Sequence, residues 1–209
     1  MFASDYRQAA WEKLRGNWTP VVVSFLLYSL LISALSTTGL GSLLLGGPLT
    51  VAFVGVVLTL VRTGSTKIET MFDGFTDGFV SRMLGFILYT LYIALWSILF
   101  IIPGIVKSYS YAMTFYILRD DPSIGANEAI TRSRQMMDGH KWQLFCLHFS
   151  FIGWILLSML TLGILTLWVM PYMETATAVF YESIKGEGEA QKTEPAEGDS
   201  NGNGTTEFI

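Results

Sequence analysis

The stretch Leu95–Asp120, LWSILFIIPGIVKSYSYAMTFYILRD, decides the architecture. It belongs to an apolar block, Leu84–Leu118, too long for one membrane span of about 20 residues. Pro103 and Gly104 stop helices and close turns, so the block reads as two spans joined there. The second, Ile105–Leu118, has 14 residues and reaches only about 21 Å at the helical rise. A single broken helix or a re-entrant loop is the competing reading. Charge placement separates them. With six spans and both termini inside, 12 of the 13 Lys and Arg residues face inward and only Lys107 lies outside. Counting the block as one span moves Arg119, Arg132, Arg134, Lys141, Lys185 and Lys192 to the outer face. Cytoplasmic loops carry the excess of Lys and Arg, which selects the six-span arrangement with both termini cytoplasmic.

The flanking blocks repeat the pattern. Trp18–Val61 breaks around Gly39, Gly41, Gly46 and Pro48, and Trp142–Ile184 breaks around Gly163, giving two further hairpins. The first apolar run begins only after 17 residues that include Trp11, with no early apolar core and no good cleavage site. It therefore reads as a span and not as a cleaved signal peptide. Each hairpin follows a short amphipathic stretch suited to the membrane interface. In the second, Ile68, Met71, Phe72, Phe75 and Phe79 keep a helical rhythm opposite Glu69, Asp73 and Asp77. Ala126, Ala129, Ile130, Met136 and Met137 do so in the third, and Tyr6, Ala10 and Leu14 in the first. Pro48, Pro103 and Pro171 are expected to open the second helix of each hairpin, with Arg62, Arg119 and Lys185 following at 14, 16 and 14 positions. Three copies of one unit around a pseudo-threefold axis are expected, although turn prolines and terminal cations occur in any helical hairpin.

Composition agrees. Of 209 residues, 51% are hydrophobic and 14% charged, against about 25% charged in a soluble domain, and mean hydropathy is +0.46. The net charge of −4 is concentrated in the segment from Gly186, which carries six acidic residues and one Lys. That segment is poor in apolar residues and is expected to be disordered. A basic surface for nucleic acid is absent, and the single Cys146 excludes an intramolecular disulfide. The expected organisation is a six-helix membrane domain over residues 1–185 and an acidic tail over 186–209. Within the domain, interfacial helices cover 3–17, 66–82 and 123–139, and hairpins cover 18–62, 83–119 and 142–185.

The segments LWSILFIIPGIVKSYSYAMTFYILRDDPSIGANEAI, SRQMMDGHKWQLFCLHFSFIGW and GILTLWVMPYMETATAVFY resemble the bacterial integral-membrane family catalogued as domain of unknown function 975. The resemblance covers nearly all of residues 1–185. It implies an all-α, multi-pass protein of the bacterial cytoplasmic membrane and brings no activity, cofactor or substrate.

Ionisable groups inside spans are costly and usually have a reason. Lys107 and Glu174 both lie at the outer end of the second helix of their hairpins. Three readings stand: each snorkels to the interface, the two form an ion pair, or they line a ligand site. An ion pair within salt-bridge reach is expected. The ligand reading is a polar cavity opening outward, lined by Lys107, Tyr111, Tyr172 and Glu174; close helix packing explains the neighbouring hydroxyls equally well. His148 is an intramembrane polar residue, and its spacing from Cys146 turns the two side chains apart, so it reads as a hydrogen-bonded core histidine. No catalytic motif, metal-ligand spacing or phosphate loop is present; no enzyme activity, cofactor or metal is expected. The leading reading is a non-catalytic protein that binds or moves a small amphiphile or lipid. A scaffold or regulatory subunit of a larger transporter, partnered by another membrane subunit or by copies of itself, is the alternative.

Overall fold

The computed structural model describes residues 2–37, 40–75, 78–99 and 101–193. Among them the chain is all helical: α1 Ala3–Leu14, α2 Trp18–Ser36, α3 Leu40–Thr63, a 3-10 helix Ile68–Phe75, α4 Phe79–Leu99, α5 Ile101–Tyr111, α6 Thr114–Asp120, α7 Ala126–Met136, α8 Lys141–Phe149, α9 Ile152–Leu160 and α10 Thr166–Thr193. Helix α10 continues into the segment read as tail; residues 194–209 lie outside the described residues. Four segments are long and apolar enough to cross a membrane: Trp18–Ser36, Gly41–Thr63, Phe79–Ile98 and Lys141–Leu160. The expected fourth and sixth spans are not among them, because α5–α6 is interrupted at Ala112–Met113 and α10 carries Glu174, Glu182 and Lys185.

Helix α3 is the axis of the bundle. In its apolar window 72% of residues are buried, against 11% in α2 and α4. Val51, Val54, Val57 and Leu58 of α3 meet Met113, Ile117 and Leu118 from α5–α6 and Ala176, Phe180 and Tyr181 from α10 in one core. The outward faces of α2, α4, α5 and α9 carry exposed Leu30, Leu91, Leu95, Ile98, Ile102 and Leu160. So much exposed apolar surface has no place in water.

The prolines do not open the second helices as expected. Pro48 and Pro171 lie inside α3 and α10, and only Pro103 falls in a first turn. The Gly46–Gly47 pair, read as a break, is helical and serves packing instead. A Cβ at Gly47 would overlap the Arg82 carbonyl of α4, and one at Gly46 would come within 2.8 Å of the Phe86 ring. Missing side chains let α3 and α4 touch backbone to backbone. Gly39 lies outside the described residues. Gly163 does break the last block, at φ +85 next to Leu162 at φ 55. The second amphipathic stretch forms an eight-residue 3-10 helix, not a long interfacial helix. Gly78, at φ +70 against the Pro122 carbonyl, lets α4 start at Phe79.

The contacts between elements form a closed ring. The 3-10 helix packs on α3, α7 packs on α6, and α1 packs on α10. In the same sense α3 meets α4, α5 meets α8, and α10 meets α2. The closing contact joins the two ends of the chain: Tyr6 meets Phe180 edge-on at 5.3 Å, and its hydroxyl lies 3.2 Å from Ser183 Oγ.

Candidate functional site

The residues singled out in the sequence do not assemble into one site. Lys107 places Nζ 4.8 Å above the Trp96 ring of α4, a favourable cation–π arrangement. Tyr111 is buried, its ring 6.0 Å from Tyr92 of α4. Glu174 takes a hydrogen bond from the Tyr116 hydroxyl of α6 at 3.2 Å. The expected Lys107–Glu174 ion pair is not among those of the described residues. The physical reason is the break at Ala112–Met113: α5 lies against α4, while Tyr116 of α6 bonds to Glu174 of α10. His148 Nε2 lies 3.3 Å from Thr177 Oγ1, with Tyr109 packed beside its ring. Among the described residues no group of His, Cys, Asp and Glu is arranged to hold a metal.

Two arrangements emerge instead. The first is a polar knot where the ends of α3 and α6 meet the side of α10. Asp120 Oδ2 accepts hydrogen bonds from Arg62 Nη2 at 2.8 Å, Tyr181 Oη at 2.9 Å and Lys185 Nζ at 2.6 Å. Arg62 also pairs with Glu182 at 2.7 Å. Asp120 Oδ1 is buried with no hydrogen-bond partner among the described residues. Burial pushes the Asp120 carboxyl up, but the bonds from Arg62, Lys185 and Tyr181 outweigh it and hold it below the ordinary aspartate value. Two of the three repeated cations therefore meet at one carboxylate. The third, Arg119, lies over α3, where a Cβ at Gly55 would come within 2.6 Å of its Nε.

The second arrangement is an aromatic cleft of about 370 Å³ between α1, α2, α9 and α10, lined by Trp11, Trp18, Trp154, Leu165, Trp168, Val169 and Tyr172. Trp11 meets Trp18 edge-on at 5.4 Å and Tyr172 at 5.8 Å, and Phe151 backs Tyr172 at 5.0 Å. Tyr172 donates its hydroxyl proton to the Arg7 carbonyl at 2.9 Å, which seats α1 against α10. Trp11, Trp154 and Trp168 are each almost half exposed, so the cleft opens on the side of the bundle. The indole N–H groups of all four tryptophans have no acceptor among the described residues. Of the residues singled out in the sequence, this cleft contains Tyr172 alone. A second cavity of about 400 Å³ lies beside it on α9 and α10, lined by Ile155, Ser158, Met159 and Met170 among others.

Sequence reasoning also missed how the two broken legs are held. Ser133 of α7 is fully buried at the α5–α6 break, where its Oγ accepts from the Met113 N–H at 3.2 Å and donates to the Ser110 carbonyl at 3.0 Å. Arg7 of α1 donates to the Ser150 carbonyl at the α8–α9 break at 3.1 Å, its guanidinium 6.0 Å from the Phe151 ring. Both side chains satisfy backbone groups that an unbroken helix would satisfy itself. No local pattern announces such a role.

An all-helical bundle with four membrane-length helices, exposed apolar flanks and a lateral aromatic cleft defines a membrane-protein class of fold. Within that class, the chain belongs to the family described as "Protein of unknown function (DUF975)", whose model matches residues 1–110 and 98–188. No curated protein and no solved structure matches it.

Proposed function

We propose that this chain is a multi-pass protein of the bacterial cytoplasmic membrane that binds a small amphiphile or lipid without catalysis. Six legs cross the bilayer, with both termini cytoplasmic. The interrupted α5–α6 crosses because Ser133 restores its backbone hydrogen bonds, and the polar residues of α10 face the bundle. The observation that carries the reading is the aromatic cleft. Ligand sites are concave, mostly apolar and roughly 300–1,000 Å³, with a few polar groups to orient the ligand. The indole faces of Trp11, Trp18, Trp154 and Trp168 take the apolar part of the ligand, and their N–H groups are available to its ester or head-group oxygens. This moves the site from the polar cavity expected around Lys107 and Glu174 to the side of the bundle.

The alternative, a scaffold or regulatory subunit of a larger transporter, is favoured by one observation: charged groups of three helices satisfy one another at Asp120. Native mass spectrometry of the gently purified chain separates the two. The ligand reading expects one retained amphiphile per chain, lost in Trp168→Ala and kept in Lys107→Ala. A bare wild-type protein, or adducts indifferent to Trp168, would make the scaffold the working description.

A further inference from the structure

A cation stands at one end of the aromatic cleft. Arg7 precedes Trp11 by one turn of α1, so the two lie on one side of that helix. The Arg7 guanidinium is 6.0 Å from the Phe151 ring, and Phe151 packs edge-on against Tyr172 at 5.0 Å. Phe151 is in turn one helical turn before Trp154, which lines the cleft. The Tyr172 hydroxyl donates to the Arg7 carbonyl, and the Arg7 charge is near enough to act on that hydroxyl. The opposite end of the cleft is apolar, with Leu165 and Trp168 leading toward the turn at Gly163. Val169 lines both this cleft and the second cavity, so apolar space continues beside α10.

Among the described residues Arg7 has no carboxylate partner. The acids nearest it in the fold are engaged elsewhere. On α1 itself, Asp5 accepts from the Phe2 N–H and from Ser4, and Glu12 accepts from Gln8. On α10, Glu174 accepts from Tyr116 and Glu182 pairs with Arg62. Helices α8 and α9 carry no Asp or Glu. A partly buried cation without an anion is a costly arrangement. Arg7 spends one donor, Nη1, on the Ser150 carbonyl, and a guanidinium carries five in a planar fork that matches phosphate oxygens.

We infer that the amphiphile of the cleft carries an anionic phosphate head, bound by Arg7 at the Phe151–Tyr172 end, with its tail along Trp168 and Leu165. The inference rests on the cleft being a ligand site and names the class of ligand. Arg7 keeps its bond to Ser150 and offers its remaining N–H groups to the phosphate oxygens, a charge-assisted contact. A zwitterionic head would bring its own cation beside Arg7, where the neighbouring acids already have partners, so the site favours a net negative head. A free phosphate has the same oxygens but lacks the tail that the tryptophans and Leu165 would cover.

Native mass spectrometry of the full chain tests this, with phosphatidylglycerol and phosphatidylethanolamine of matched acyl chains offered in equal amounts. The wild type is expected to retain phosphatidylglycerol in preference by about tenfold, the size of one hydrogen bond to a charged group after exchange with solvent. Arg7→Gln is expected to retain the two lipids equally, and Arg7→Lys to keep the preference. Lys13→Gln removes the same charge from another face of α1, since residues two apart from Trp11 point away from it, and is expected to keep the preference as well. A wild type without preference would overturn the proposal by itself, whatever the variants do. So would a preference that survives in Arg7→Gln, one lost equally in Lys13→Gln, or displacement of phosphatidylglycerol by an equal concentration of inorganic phosphate. Trp168→Ala keeps the two readings apart. Retention unchanged in that variant sinks the cleft itself, whereas both lipids held equally by the wild type and lost in Trp168→Ala would leave the cleft and remove only the anionic head.

Discussion

Two stretches of α10 use similar side chains to opposite effect. Around Tyr181–Lys185, every charged group is engaged: Asp120 holds Arg62, Tyr181 and Lys185, and Glu182 holds Arg62. Around Trp168–Tyr172, the tyrosine is satisfied by a backbone carbonyl and the tryptophans leave a concave apolar surface open at the side. Polar chemistry spent on joining helices is unavailable to a ligand, whereas an open cleft with uncommitted donors is available. Helix-joining contacts are thus gathered along one stretch of the helix, and the proposed recognition surface lies along the other.

The comparison breaks first at Asp120. Asp120→Ala leaves Arg62 and Lys185 facing each other without the anion. A stability loss of about 2–4 kcal/mol is expected, below that of a fully buried pair because both cations are more than a third exposed. Denaturation by SDS in mixed micelles measures it, and an unchanged midpoint would remove the knot from the account. The same carboxyl sets a pH dependence. Its folded pKa is depressed, so its contribution is full above the unfolded value near 4 and is lost as pH falls through the lower folded value. Asp120→Asn is expected to flatten that acid limb, and a limb identical to wild type would contradict it.

A smaller effect is expected where α3 touches α4. Gly47→Ala should cost about 1–3 kcal/mol, because the new Cβ meets the Arg82 carbonyl and cannot be accommodated without shifting a backbone. Gly153→Ala in α9 has open space around its Cβ and should be neutral or stabilising by up to about 1 kcal/mol, the helix-propensity gain. Equal effects at both positions would sink the close-packing explanation. Ser133→Ala is expected to cost about 1–3 kcal/mol, since it leaves the Met113 N–H and the Ser110 carbonyl without their partner.

Much of this fold is legible in sequence because membrane-length apolar runs are long and punctuated. The all-helical class, the starts of α2 and α8 and the turn at Gly163 follow from hydropathy and glycine alone. Cations placed at the end of each second leg anticipated Arg62 and Lys185 at a common end. Other features rest on contacts between distant residues and leave no local trace. A Gly-Gly-Pro run looks like a turn, yet here it lets two helices approach. The α5–α6 break depends on Ser133, twenty residues beyond Met113 in the chain. The candidate site was legible only through Tyr172. Four tryptophans from Trp11 to Trp168 form one cleft because α1 packs on α10, a closure between chain ends that no periodicity encodes.

The central claim is that all six legs cross, including the interrupted α5–α6. Its most direct test is cysteine accessibility in intact bacterial cells, on a Cys146→Ala background. Single cysteines replace Ser65, after α3, and Leu162, the exposed residue between α9 and α10. The account predicts that a membrane-impermeant maleimide labels Leu162→Cys from outside and Ser65→Cys only after permeabilisation. Labelling of both from the same side would mean that α5–α6 turns back without crossing, and would contradict it.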